Sequence, residues 1–141
     1  MVRFASNKQF KKSAVLYGLN IAKHTKHKFC IIVEGEFDCL AMHDIGFDNT
    51  VSSMTCSPSQ SQIELLSDYF DTLCIMFDND RAGFIGAKNI LRKYGHLFKK
   101  VFKYNYNFDP NIINDPDDLV NFYNDKNEIS TFINEIKLLM R

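Results

Sequence analysis

Four short apolar runs rich in β-branched and aromatic residues punctuate the chain: Phe29–Val33, Thr50–Ser53, Thr72–Phe77 and Lys100–Tyr104. Between them the apolar positions shift to helical spacing. Phe37, Leu40, Ala41 and Ile45 fit one helical face that ends at Gly46. Ile63, Leu66, Tyr69 and Phe70 fit a second, with Ser57 as its expected cap and Pro58 in the first helical position. Ala82, Ile85, Ile90, Leu91 and Tyr94 fit a third, stopped by Gly95. Strands alternating with single helices predict βαβ units, and so a mainly parallel sheet of about four strands with flanking helices. The first and third runs are apolar on both alternating faces, as strands covered from both sides are.

A basic amphipathic helix over Lys11–Lys23, built around Ala14, Val15, Leu19 and Ala22, is expected before the first strand. An irregular Asn/Asp/Tyr stretch from Asn105 to Pro116 follows the fourth, and two helices near Asp117–Asn124 and Ser130–Met140 close the chain. There are no repeats and no linker able to divide the chain into separate domains. The expected organisation is a single domain with a basic lead-in over residues 1–28, an α/β core over 29–125 and a carboxy-terminal helix over 126–141.

Of the 141 residues, 45% are apolar and 24% charged, an ordinary composition for one globular domain. No apolar run approaches the roughly 18 residues of a membrane span, and no signal-peptide pattern opens the chain. The cysteines (Cys30, Cys39, Cys56, Cys74) form no CxxC pair, so free thiols and a cytoplasmic location are expected. The formal net charge of zero conceals four blocks. Residues 1–28 carry +7, 29–80 carry −10, 81–108 carry +7 and the remainder −4. An acidic centre between basic flanks suits a metal site beside a polyanion, although solvated surface alone also accounts for such blocks.

In an open parallel sheet, functional groups collect beyond the carboxyl ends of the strands. Two acidic sets fall there. Val33 runs into Glu34-Gly35-Glu36-Phe37-Asp38, and Phe77 runs into Asp78-Asn79-Asp80-Arg81-Ala82-Gly83. If the first and third strands are neighbours, Glu34, Asp78 and Asp80 converge. Ionised carboxylates share a small space when a cation neutralises them, and an all-oxygen set selects Mg²⁺ or Mn²⁺. The competing reading is that each acid simply caps a helix. Asp38, one turn beyond Glu34, is placed to support it, Gly35 allows a close approach or sharp turn, and Gly83 is expected to serve as a second structural turn. Asp115 or Asp117 can cap the next helix, with an extra metal contact as the alternative. Arg81, Lys88 and Arg92 are the bases placed to meet phosphates. His24, His27 and Cys30 straddle a strand entry and do not share a face. Phe and Tyr residues between 98 and 108, where exposed, could stack on bases or dock a partner, core packing being the commoner use.

These residues resemble a known family. A glutamate after the first strand (Val33-Glu34-Gly35) and a DxD after the third (Asp78-Asn79-Asp80) are similar to the TOPRIM domain of bacterial-type primases, type IA and II topoisomerases and certain nucleases. Leu16-Tyr17-Gly18-Leu19, Arg81-Ala82-Gly83 and Asn114-Asp115-Pro116-Asp117-Asp118 resemble bacterial and phage primases in particular. One departure is Ser53-Met54-Thr55-Cys56, where primases carry serine–apolar–glycine–threonine. The resemblance implies a Rossmann-like TOPRIM sheet and Mg²⁺ or Mn²⁺ held by Glu34, Asp78 and Asp80. It implies RNA primer synthesis from nucleoside triphosphates on single-stranded DNA during replication. It also implies a zinc-binding and basic primase module and a replicative helicase as partners, so this nucleotidyltransferase chain would need further domains for full activity. A TOPRIM nuclease using the same carboxylates, or a non-catalytic module binding nucleic acid or a replication partner, are the alternatives.

Overall fold

The computed structural model describes residues 15–141. Four strands, β1 (Phe29–Val33), β2 (Thr50–Ser52), β3 (Thr72–Ile75) and β4 (Lys100–Lys103), form one parallel sheet in the order β2-β1-β3-β4. Ile31 pairs with both Thr50 and Cys74, and Cys74 with Phe102, so β1 and β3 are the central pair. Every residue of β1 is buried, as its unbroken apolar run required.

Alternate residues of the strands feed two cores. Phe29, Ile31, Val33, Cys74 and Met76 pack with α2 (Glu36–Asp44), α5 (Pro116–Asp125) and α6 (Ile129–Leu139). Cys30, Ile32, Leu73, Ile75 and Phe77 pack on the opposite face with α1 (Leu19–Ala22), α3 (Gln60–Ser67) and α4 (Arg81–Tyr94). The helices that leave β1 and β3 therefore depart to opposite faces. That opens a crevice between the carboxyl ends of the two central strands, the place where a doubly wound sheet accepts ligands.

Four expectations need correction. The lead-in helix lies partly outside the described residues, and within them it is helical only from Leu19 to Ala22. Tyr17 instead makes an antiparallel bridge to Ser52 that covers the outer edge of β2. Gly18, at φ 86°, then turns the chain, in a position where a Cβ would stand 3.0 Å from the Cys39 sulfur. The cap of α3 is Ser59 rather than Ser57, because Ser59 and Gln62 form a reciprocal capping box. In α2, Phe37 (79% exposed) and Leu40 point outward, while Asp38, Cys39, Ala41 and Met42 face inward. In α4, Ala82, Ile85 and Leu91 are exposed and Gly83, Gly86, Ala87 and Ile90 form the buried stripe. The causes differ: α2 turns a buried acid, Asp38, inward, whereas α4 packs its glycines, Gly83 and Gly86, against the main chain of Asp78 and Cys56.

The turn at Ser53-Met54-Thr55-Cys56 forms without the family's glycine. Met54 takes the left-handed conformation, at φ 63°. The Ser52 hydroxyl accepts from the Met54 N–H at 3.0 Å, and the Ser53 hydroxyl donates to the Thr55 carbonyl at 2.6 Å. Of the aromatic residues between 98 and 108, Phe98, Tyr104 and Tyr106 are buried, which is the core use.

Candidate metal centre

Glu34 follows β1 directly, and its Oε2 accepts a 2.8 Å hydrogen bond from the main-chain N–H of Asp78, just beyond β3. The pairing of β1 with β3 causes this. Ile32 lies opposite Ile75, and the Met76 N–H donates to the Ile32 carbonyl, so the two chain exits stay side by side. Asp78 Oδ1 is buried and has no hydrogen-bond partner among the described residues. Asp80 caps α4, accepting from the Gly83 N–H at 2.8 Å.

Further carboxylates close in from the other face. Asp38 sits on the inner side of α2, where its Oδ1 accepts from the Asp117 N–H at 3.1 Å. Asp115 caps α5 by accepting from Asp118 at 2.8 Å, with Pro116 in the first helical turn. Asp117 contributes its N–H, and the residue also lines a groove formed by α2, α5 and α6.

Gathering these acids without a counter-charge is costly, and it favours their protonated forms. Asp78 is pushed up to about 8, first by burial and then by repulsion from Glu34, Asp38, Asp115 and Asp80. Asp38 rises to about 7, by burial and the charge of Asp115, against the pull of the Asp117 and Gly35 N–H groups. Glu34 and Asp115 are raised too, chiefly by burial, with their main-chain hydrogen bonds opposing. The net shift of each favours the neutral acid, and a divalent ion would oppose all four shifts.

Among the described residues, no three His, Cys, Asp or Glu side chains are gathered tightly enough, as they stand, to enclose an ion. Glu34 and Asp80 are instead turned onto N–H groups. The donor set nevertheless fits a hard cation. It is all oxygen, and it holds one buried, unpartnered carboxylate oxygen at its centre.

The remaining expected residues divide. Gly83 is no turn. It is a helical residue whose Cβ would stand 2.1 Å from the Asp78 carbonyl oxygen, so only glycine lets α4 start this close to the DxD. Gly35 has an ordinary extended backbone (φ −106°) and leaves room for the Asp38 carboxylate, 3.1 Å from where a Cβ would be. Arg81 opens α4 and lines a cleft of about 290 Å³ beside Asp78 and Asp80. Lys88 and Arg92 lie farther along the same helix, and Arg92 bonds Asn89.

Two residues that position the site carried no assignment in the sequence. The Asn79 side chain donates to the Phe108 and Ile113 carbonyls at 3.0 and 2.9 Å, and its N–H donates to Asn114. The Tyr106 hydroxyl donates to the Phe77 carbonyl at 2.8 Å. Together they tie the stretch after β4, and with it Asp115, onto the DxD. The middle residue of the DxD being a side chain with two donors was the one available signal.

The site and sheet define the class. A family model described as Toprim-like matches residues 31–120, and the chain belongs to that family. Its relatives are DNA primases. It is 38% identical over 96 residues to the DNA primase of Clostridium acetobutylicum, covering 65% of this chain and 16% of that protein. It is 32% identical over 114 residues to that of Rickettsia felis, covering 79% of this chain and 19% of that one. The chain thus spans less than a fifth of these relatives. Among solved structures, the Aquifex aeolicus primase (zinc-binding and RNA polymerase domains) superposes with a TM-score of 0.71 at 29% identity, over 89% of this chain and 30% of that one. The RNA polymerase domain of Mycobacterium tuberculosis primase gives 0.62 at 26%, over 78% and 37%. The chain is therefore a TOPRIM domain of the primase type.

Proposed function

We propose that this chain is the metal-holding catalytic unit of a DNA primase, joining ribonucleotides on a single-stranded DNA template. The observation that carries this reading is the buried, unpartnered Asp78 Oδ1 beside Glu34, in a TOPRIM fold whose relatives are primases. Glu34, Asp78 and Asp80 would hold Mg²⁺ or Mn²⁺, with Asp38 and Asp115 adding negative charge around them. Such an ion supplies positive charge to triphosphate oxygens and to the attacking and leaving oxygens of a displacement.

The chain's own residues set the stage for that chemistry. Asp78 N–H orients Glu34, Gly83 N–H orients Asp80, and Asn79 and Tyr106 hold the DxD loop in place. Arg81 at the cleft mouth, and Lys88 and Arg92 along α4, face phosphates without reading bases. The working enzyme would include a zinc-binding and basic module supplied by other sequence, and would act with a replicative helicase. Relatives that are primases favour this reading over a TOPRIM nuclease or a non-catalytic module.

The test is template-directed primer synthesis by this chain mixed with the zinc-binding module of its own source, in Mg²⁺ or Mn²⁺. Labelled RNA products that disappear with Asp78→Asn or Asp80→Asn are expected. An absence of products with the module present, or products indifferent to both substitutions, overturns the proposal.

A further inference from the structure

Phe84 lies one helical turn beyond Asp80 on α4, off the buried stripe, and is 49% exposed. Two ammonium groups sit over its ring, Lys88 Nζ from the next turn and Lys103 Nζ from the end of β4, each 5.4 Å from the ring centroid. Neither lysine pairs with a carboxylate among the described residues, where Lys99–Asp71 is the ion pair found. Among the described residues, the hydrogen-bond partners of Lys103 Nζ are the Tyr104 carbonyl and Asn105 Oδ1, both at 3.4 Å. Phe84 and Lys103 line the same cleft as Asp78, Asp80 and Arg81.

We infer that Phe84, framed by Lys88 and Lys103, is a stacking platform for a base of a single-stranded polynucleotide whose phosphates meet the two ammonium groups. The inference rests on the primase reading and adds to it a base-contacting residue. A half-exposed aromatic ring among unpaired cations is the arrangement that binds single strands without sequence preference, because every base has a π-face. The cation–π contacts are of modest strength, so a stacking base would displace an ammonium group from the ring face and leave it free to meet the phosphate beside that base. A polynucleotide fits better than a mononucleotide. From Arg81 to Arg92 the helix carries bases over roughly 16 Å, longer than one nucleotide step.

The chain contains no tryptophan, so Phe84→Trp introduces a single fluorescent reporter at the platform. With EDTA present, dT12 and rU12 are titrated into this variant, with an abasic deoxyribose-phosphate dodecamer and ATP as controls. Strong quenching by dT12 or rU12 and little by the abasic oligomer is expected, and the stronger of the two shows which strand the platform takes. Phe84→Leu keeps the apolar bulk, and it should keep the wild-type Tm while weakening dT12 binding by roughly 5- to 100-fold. Equal quenching by the abasic oligomer overturns the inference. So does ATP quenching that matches dT12, or a Phe84→Leu variant that binds like wild type. The EDTA separates this result from the metal chemistry. Stacking without primer synthesis leaves the platform standing, whereas priming without stacking removes the platform alone.

Discussion

Glu34 and Asp78 are 44 residues apart in sequence, yet the carboxylate of the first accepts a 2.8 Å hydrogen bond from the main-chain N–H of the second. The bond fixes the side chain of one strand exit to the backbone of the other. It also brings two negative charges close enough for Glu34 to be the largest charge effect on Asp78. One contact thus both builds the site and makes it unfavourable without a cation.

Glu34→Gln separates these two roles. A glutamine carbonyl accepts the Asp78 N–H as a carboxylate does, so the fold persists, while one repelling charge is gone. The variant should melt no lower than wild type in EDTA and should lose roughly ten- to hundredfold or more in Mn²⁺ affinity, the range seen when even supporting groups of a metal site are removed. Calorimetric titration with Mn²⁺ measures it, and unchanged affinity would exclude Glu34 as a ligand.

The raised acids set a direction for pH. Asp78 at about 8 and Asp38 at about 7 hold protons more tightly in the folded protein than in the unfolded chain, where both titrate near 3.8. The folded state therefore binds more protons between these values. The stability they contribute is complete below pH ~4, declines as pH rises and is lost above about 8. Mg²⁺ binds the deprotonated groups, so its stabilising effect should grow over the same range. Thermal melts from pH 6 to 9 in EDTA should fall, and the rise in Tm on adding Mg²⁺ should widen. Parallel curves with and without Mg²⁺ would refute a site built on these groups.

The sheet and the acids at its carboxyl edge were legible because strand exits are read directly from the end of an apolar run. Val33 and Phe77 marked where Glu34 and Asp78 must emerge. The sheet order puts β1 beside β3, and that is what turned two motifs into one place. The face of α2 was not legible, because Asp38 faces inward toward the Asp117 N–H and displaces Phe37 and Leu40 to the surface. Hydrophobic periodicity has no means of anticipating a buried acid. Ser59 was within reach, since Ser59-Gln60-Ser61-Gln62 spells a capping box that an earlier serine and proline obscured. The roles of Asn79 and Tyr106 were harder to read, because Asn79 serves the Phe108 and Ile113 carbonyls of an irregular stretch and Tyr106, which donates to Phe77, lies within that stretch, where there is no period to read.

Glycine substitutions along and after α4 should diverge sharply. At Gly83 and at Gly86 a Cβ would stand 2.1 Å from a main-chain oxygen, that of Asp78 and that of Cys56 respectively. Backbone on both sides leaves no flexible end to yield, so each alanine should cost about 1–3 kcal/mol or more by overpacking. A Cβ at Gly95 would meet nothing within 4 Å among the described residues, and its φ of −57° is ordinary helical backbone. Gly95→Ala should be neutral or stabilise by about 0.4–1 kcal/mol. Urea unfolding of the three variants checks the order, and a Gly83→Ala protein as stable as wild type would show that α4 can move off the DxD.

Tyr106→Phe removes a single hydroxyl from the far wall of the site. The Phe77 carbonyl then loses its 2.8 Å side-chain partner in a buried setting, which costs about 1–3 kcal/mol. The larger consequence is positional, because Phe77 immediately precedes Asp78 and the hydroxyl is one of the ties that hold the stretch after β4 against the DxD. Asn79→Ala breaks the companion tie to Phe108 and Ile113. Each variant should bind Mn²⁺ more weakly than its loss of stability explains. The double variant should fall short of the sum of the two, since the second cut acts on a loop already released. A Tyr106→Phe protein with lowered stability but wild-type Mn²⁺ affinity would show that the hydroxyl serves the core alone and that Asp78 is placed by β3 and Glu34 without it.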